Sequence, residues 1–225
     1  MAQTDKKDQK VSLHTVERLS VYRRKLEELN AAEVEYIHSH ELAALVGVTP
    51  AQLRRDLASF GNYGNISRGY EVRHMSRTIS RLIGTDHIQN VGLVGVGDLG
   101  RALLSYRGFE ERGFHIVAAF DTDPEKVGRV FAGRRCYALE KLETALADLR
   151  IHILVLTSRP EGLQEVVDRG VKAGVRSFLN FVPKTLSVPA DCFVEHIDIS
   201  AKLEKLSFLS LKEHAQDEAR VEASA

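Results

Sequence analysis

The stretch Val91-Gly-Leu-Val-Gly-Val-Gly-Asp-Leu-Gly100 restricts the fold of this chain more than any other part of it. Residues 91–94 are a short apolar run suited to a buried strand, and a full Gly-x-Gly-x-x-Gly follows at once. Residues 101–106 continue as a helix. A second strand, residues 115–120, ends in Asp121, 21 positions past Gly100. Strand, glycine turn, helix, strand and acid in that order define a βαβ unit for a dinucleotide. Gly95 permits a tight turn, Gly97 lets the backbone approach a pyrophosphate, and Gly100 lets the helix lie against the strand. Val96, Asp98 and Leu99 complete the turn, and the helix start offers free N–H groups to the phosphates. Phe120 and Asp121 end the next strand. A carboxylate there accepts from both ribose hydroxyls and repels a 2′-phosphate, which favours NAD(H) over NADP(H). Asp98 fits this scheme only by pointing away from the phosphates.

More strand and helix alternation follows. Residues 139–149 and 161–173 read as helices, and residues 151–156, 175–181 and 194–199 as strands. The first of these strands is almost wholly apolar, as a buried parallel strand is. The pattern specifies an α/β fold, a doubly wound Rossmann sheet with its ligand at the carboxyl ends of the strands. Thr157, Asn180 and Asp198 stand at or near such ends, and Asn180 and Asp198 join the candidate cofactor contacts. Residues 200–214 form a last amphipathic helix, with Leu203, Leu206 and Leu209 or Leu211 turned toward its own domain or a partner subunit. Residues 215–225 read as a frayed tail.

A different pattern occupies the N-terminal part. Leu13, Val16, Leu19, Tyr22, Leu26 and Leu29 recur at a helical period, with Thr15 as the candidate cap. Ser39 is placed to cap a second helix with Leu42, Ala43, Leu45 and Val46 inward, and Gly47 ends it. Thr49-Pro-Ala-Gln52 opens a third helix: Thr49 caps, Pro50 fits the first turn, and Gln52 completes a capping box. Leu53, Leu57 and Phe60 form its inner stripe. Gln52, Arg55 and Ser59 fall opposite, with Arg54 at the flank. A short helix, a glycine turn and a capped basic helix make a helix-turn-helix, whose second helix enters the major groove of DNA. Thr49, Gln52, Arg54, Arg55 and Ser59 are therefore candidate DNA contacts, although Arg54-Arg55 alone is equally a solvated pair. Residues 61–72 interleave Gly61, Gly64 and Gly69 with Tyr63, Ile66 and Tyr70, which reads as a short hairpin or a mere connector. As a wing it carries Arg68 near its tip, toward a minor groove.

The 225 residues accommodate a winged helix-turn-helix domain (1–85), a Rossmann NAD(H)-binding domain (86–199), a C-terminal dimerisation helix (200–214) and a tail (215–225). The net charge is zero, yet residues 1–85 carry 13 basic and 10 acidic side chains and the remainder 18 and 21. That polarity favours nucleic-acid contact through the N-terminal part. No apolar run is long enough to span a bilayer, and residues 1–10 are too polar for a signal peptide, so a cytoplasmic location without a membrane partner is expected. Cys136 and Cys192 lack Cys-x-x-Cys spacing and read as ordinary thiols. No metal site and no catalytic residue is expected.

Over roughly residues 11–211 the chain resembles the Rex family of redox-sensing transcriptional repressors. The resemblance is carried by Arg18-Leu-Ser-Val-Tyr22-Arg, Glu41-Leu-Ala, Thr49-Pro-Ala-Gln-Leu-Arg-Arg-Asp-Leu57, Phe60-Gly61, Val94-Gly-Val-Gly-Asp-Leu-Gly-Arg-Ala-Leu-Leu104, Tyr106-Arg-Gly-Phe109, Arg112-Gly-Phe114, Ala118-Ala-Phe-Asp121 with Asp123-Pro124 and Gly128, and Leu179-Asn-Phe181 with Pro183. It implies a homodimer whose C-terminal helix is exchanged between subunits. It also implies a palindromic operator in double-stranded DNA, with NADH and NAD⁺ competing for the core and NADH releasing the protein. On this resemblance Arg54 and Arg55 contact DNA, Gly95 to Gly100 hold the pyrophosphate, and Asp121 holds the adenosine ribose. Arg18, Tyr106 and Asp198 form the interdomain switch, and Tyr106 is also a candidate cofactor contact. A carboxylate such as Asp198 attracts the cationic ring of NAD⁺ or pairs with Arg18, and these options compete. Two stretches depart from the family pattern: Asn65-Ile-Ser-Arg68-Gly-Tyr70 lacks the usual basic residue of the wing, and Thr157-Ser-Arg159 stands in place of the usual Val-Pro-Ala.

Two alternatives stay open on the residues alone. An NAD-dependent dehydrogenase needs a general acid–base group and a substrate pocket. None of the nine histidines stands in a catalytic context, and the first 85 residues leave little room for a substrate domain. A DNA-binding sensor of another adenine nucleotide is left open by Thr157-Ser-Arg159.

Overall fold

The computed structural model describes residues 12–58 and 68–222, with backbone alone over residues 213–222. The chain divides into two compact units, Met1–Ile88 and Gln89–Ala225.

In the first unit α1 (Leu13–Ala31) is capped by Ser12 rather than Thr15, and Ser12 Oγ accepts from Thr15 N at 3.2 Å. Only the middle of the expected stripe is buried: Leu19, Tyr22 and Leu26 are sealed, while Leu13 stands in solvent. α2 (Ser39–Val46) begins after His38, not after Ser39, because His38 N donates to Glu41 Oε2 at 2.7 Å. A carboxylate in the first turn satisfies that N–H and suits the positive end of the helix. Leu42 and Ala43 face the core, but Leu45 is exposed. Gly47, at φ 70°, closes α2 in a left-handed conformation that favours glycine. α3 (Pro50–Ala58) follows, with Thr49 Oγ1 accepting from Gln52 N at 3.1 Å.

Three elements of this unit escape a reading by period. β1 (Tyr36–Ile37) pairs antiparallel with β2 (Tyr70–Glu71), and α4 (Val72–Leu82) packs on α1. Two-residue strands are too short to show alternation. The apolar face of α4, Val72, Met75 and Ile79, is spaced three and four apart but diluted by arginines and serines. The strand closing the expected hairpin thus finds its partner ahead of the helix-turn-helix. Residues 61–67, with Ser59 and Phe60, lie outside the described residues.

The second unit is one seven-stranded sheet. It contains β3 (Gln89–Val94), α5 (Asp98–Ser105), β4 (Phe114–Asp121), β5 (Val130–Phe131), β6 (Arg134–Ala138), α6 (Leu142–Asp148), β7 (Ile153–Leu156), α7 (Leu163–Lys172), β8 (Ser177–Asn180), β9 (Phe193–His196) and α8 (Ile199–Glu222). The strand order is β5-β6-β4-β3-β7-β8-β9, parallel except for the β5–β6 pair. Phe120, Leu154, Leu163, Val167 and Phe178 fill one core, and Leu93, Val96, Ile116 and Val155 another. β5 and β6 do not announce themselves in the sequence, since Cys136 is the one fully buried side chain of β6. The chain builds outward from β3 through β4 to β6, then crosses to β7 on the other side. Such a reversal opens a crevice at the carboxyl ends of the strands. α8 continues to Glu222, so residues 215–222 are helical where a frayed tail is expected from composition. Its Ile199, Leu203, Leu206, Phe208, Leu209 and Leu211 are all exposed.

Candidate functional site

At the reversal point the ends of β4, β3 and β7 border a cleft of about 930 Å³. Gly95 and Gly97 line it from the first turn, Asp121, Asp123 and Lys126 after β4, and Thr157, Ser158 and Arg159 after β7. Gly95 lies at φ +97°, and a Cβ there would stand 2.5 Å from Ser158 N. A Cβ at Gly100 would collide with the Gly95 carbonyl, whereas one at Gly97 would meet nothing within 4 Å. The turn is packed shut against the protein and bare toward the cleft, which is the shape a pyrophosphate requires. Thr157 Oγ1 lies 2.8 Å from the Gly95 carbonyl and 3.1 Å from that of Val94, bracing the turn from the β7 side. Asp98 is fully exposed, pairs with Arg101 at 2.6 Å, and does not line the cleft. Val96 is buried, and the Leu99 side chain is exposed.

Asp121 is held by its neighbours. Its Oδ2 accepts from Val96 N at 2.7 Å and Lys126 Nζ at 3.2 Å, and its Oδ1 accepts from Asp123 N at 2.9 Å. Burial pushes its pKa up, but the N–H groups of Asp123 and Val96 and the Lys126 ammonium outweigh burial and hold it below the ordinary value. The group is therefore an anion at neutral pH. A carboxylate has about four acceptor positions, and three are taken. The geometry leaves room for one ribose hydroxyl, where the sequence alone argued for two.

Of the other expected cofactor contacts, Phe120 lines the cleft and the rest lie elsewhere. Asn180 is buried, with its amide bonded to Val182, to the Lys184 carbonyl and to His196 Nδ1, so it serves as scaffold. Tyr106 is exposed, edge-on to Phe109 with ring centroids 5.0 Å apart. Asp198 Oδ1 accepts from Ala201 N at 3.0 Å and so caps α8. Neither lines the cleft.

In the first unit one residue that hydrophobic patterning passes over organises the site. Asp56, 3% exposed, sits on the inner face of α3. It accepts from Arg18 Nε and Nη2, both at 2.7 Å, and from Tyr22 Oη and Gln52 Nε2, both at 2.8 Å. Burial pushes its pKa up, yet the Arg18, Tyr22 and Gln52 hydrogen bonds hold it below the ordinary value. Its signal was present as Arg18 and Tyr22, four apart on α1 and so on one face, opposite an acid between Leu53 and Leu57. Gln52 consequently turns along α3 instead of closing a capping box. Arg54 and Arg55 are exposed; Arg54 Nη1 donates to Ser39 Oγ at 3.1 Å and Arg55 Nη1 approaches Gln52 Oε1 at 3.4 Å. Thr49 is exposed at the start of α3. The Arg68 guanidinium lies 4.5 Å from the centre of the Tyr36 ring, a cation–π contact.

Residues 86–184 match the family model described as "CoA binding domain", and residues 10–58 match that described as "Putative DNA-binding protein N-terminus". The chain is 39% identical over 205 residues to the redox-sensing transcriptional repressor Rex of Desulforamulus reducens, covering 91% of this chain and 98% of that one. This chain belongs to the Rex family. Against the Rex of Streptomyces griseus the identity is 39% over 211 residues, 94% of this chain and 83% of the relative. The structure of RSP, a Rex-family repressor, in complex with NAD⁺ and operator DNA matches with a TM-score of 0.86 at 33% identity, over 93% of this chain and 97% of that one. RSP in complex with NADH gives 0.81 at 32% identity, over 93% and 98%. Rex proteins are transcriptional repressors, and the dehydrogenase alternative is set aside on that ground. Among the described residues no helix is long and apolar enough to cross a membrane, and no three His, Cys, Asp or Glu group as metal ligands.

Proposed function

We propose that this chain grips a palindromic operator as a homodimer in the cytoplasm and releases it when NADH fills the cleft. The observation that carries this reading is the Gly95–Gly100 turn, packed shut behind, bare at Gly97, and flanked by an ionised Asp121. RSP, which shares the fold, has been crystallised with NADH and, separately, with NAD⁺ and operator DNA. On α3, Arg54 and Arg55 face outward to meet base edges and phosphates, while Gln52 reaches them only by leaving Asp56. Thr49 and Arg68 add contacts to the sugar-phosphate backbone, and Ser59 is kept as a further DNA contact. Arg18 is the link between DNA grip and nucleotide state. It is bonded to Asp56, so Asp198 and Tyr106 act on it only to the extent that one bound nucleotide favours the exchange more than the other.

The test is anisotropy of a labelled palindromic duplex with NADH titrated at fixed NAD⁺. Release by NADH, and not by NADPH or coenzyme A, is the expected result. Binding that ignores NADH, or release by coenzyme A alone, sinks the reading. Asp121→Ala should narrow the preference for NADH over NADPH by about tenfold or more, since the residue that meets the ribose no longer repels a 2′-phosphate. An unchanged ratio in paired titrations would remove Asp121 from that role.

α8 supplies the dimer. Its exposed leucines form a long apolar surface of the kind that marks an interface, and exchange with a partner's helix covers it. Replacing Leu203, Leu206 and Leu209 by lysine should yield monomers in analytical ultracentrifugation. Operator affinity should then fall about a hundredfold, because the two half-sites are no longer engaged together. A dimeric triple variant would show that the interface lies elsewhere.

A further inference from the structure

We propose that Arg159 binds the pyrophosphate of the dinucleotide, an assignment that rests on the nucleotide reading of the cleft. Three cations line that cleft: Lys126, Arg159 and Arg169. Lys126 is held between Asp121 at 3.2 Å and Asp123 at 3.4 Å. Arg169 is held by both Glu143 oxygens, at 2.6 and 2.7 Å, and by the Leu139 carbonyl at 2.8 Å. Arg159 is exposed and makes no ion pair among the described residues. The glycine turn itself offers a pyrophosphate no side-chain charge of the right sign, because Asp98 is acidic and Arg101 is paired with it. The partial charge at the start of α5 only partly balances two phosphate charges.

Position supports the same assignment. Ser158 is packed against Gly95, the first residue of the phosphate turn, and Thr157 is bonded to the Gly95 carbonyl. On the far side the Pro160 carbonyl accepts from Lys184 Nζ at 2.9 Å. Arg159 therefore projects from a segment anchored on both sides, directly beside the turn. Glu161 and Glu165 also line the cleft and are exposed. They are solvated single charges on separate residues. A pyrophosphate presents several oxygens that match the planar guanidinium fork, which gives shorter and stronger bonds. The residue that breaks the family pattern at 157–159 thereby gains a task, in a part of the ligand common to both redox forms.

The test uses the full-length protein with Arg159→Gln and Arg159→Lys. Direct titration covers NADH and NAD⁺, and displacement covers ADP and adenosine. Arg159→Gln should weaken NADH, NAD⁺ and ADP alike by about tenfold and leave adenosine within twofold. Arg159→Lys should recover part of the loss. Unchanged affinities, an effect on one redox form only, or equal weakening of adenosine would each overturn the assignment. If the unmodified protein binds none of the four ligands, the nucleotide reading falls and this assignment falls with it.

Discussion

Asp56→Ala is expected to destabilise the N-terminal unit by about 3 kcal/mol and to weaken operator binding at least tenfold. The carboxylate is buried and accepts four hydrogen bonds, two of them from one guanidinium. Removing one partner of a buried charged pair typically costs about 3–5 kcal/mol. The lower end applies here, because Arg18 is 31% exposed and relaxes into water. The buried Tyr22 hydroxyl cannot, and an orphaned buried donor costs about 1–3 kcal/mol. DNA binding suffers because three of these bonds, from Arg18 and Tyr22, fix α3 on α1, and the register of Arg54 and Arg55 depends on that fixation. Thermal unfolding followed by circular dichroism should show a midpoint lower by more than about 10 °C, and anisotropy should show the lost affinity. An unchanged midpoint would mean that the network is not what holds α3. The same network gives stability a pH dependence. Asp56 is held below the ordinary carboxylate value of about 3.9. The unfolded chain therefore binds the extra proton in acid. The contribution is complete above that value and is lost as pH falls through the lower folded one. Glu143, held at about 2 by Arg169, should add acid sensitivity of the same sign in the second unit.

Gly100→Val is expected to raise the Kd for NADH more than a hundredfold, leaving a protein that still binds operator but no longer releases it. A Cβ at this position collides with the Gly95 carbonyl and stands 3.1 Å from Thr157 Oγ1. Neither neighbour has room to give: one is backbone in a tight turn, and the other is bonded to that same carbonyl. The helix must withdraw from the strand, and the N–H groups of the turn then lose their common aim at a pyrophosphate. NADH titration and operator anisotropy on a variant with native circular dichroism separate this from global unfolding. Ordinary NADH affinity in the folded variant would rule out the turn as the phosphate site.

How much of this was legible depends on whether the information is local. The first glycine turn, the acid closing β4 and the capped α3 are local patterns, readable because backbone geometry and capping involve residues a few positions apart. Element ends slipped where a competing group stood next door: Ser12 displaced Thr15, and Glu41 drew the cap of α2 back to His38. β1, β5 and β6 were invisible because short or edge strands carry too few buried positions for a period of two to emerge. Asn180 was ambiguous for another reason. A polar residue at a strand's end signals a ligand contact or a buried brace equally well, and only its hydrogen bonds to Val182, Lys184 and His196 decide.

The sequence by itself determined the two-domain plan, the glycine turn between β3 and α5 and the basic helix, because each follows from spacing along the chain. The tertiary structure alone decided which polar residues are partners. Asp56 closes on Arg18 across 38 positions, and Asp121 is filled by Val96, Asp123 and Lys126. Arg159 keeps its charge unpaired among the described residues while the other cations of the cleft lose theirs to carboxylates. A charge's value to a site is set by what lies within a few ångströms of it in space, and one-dimensional order does not encode that distance.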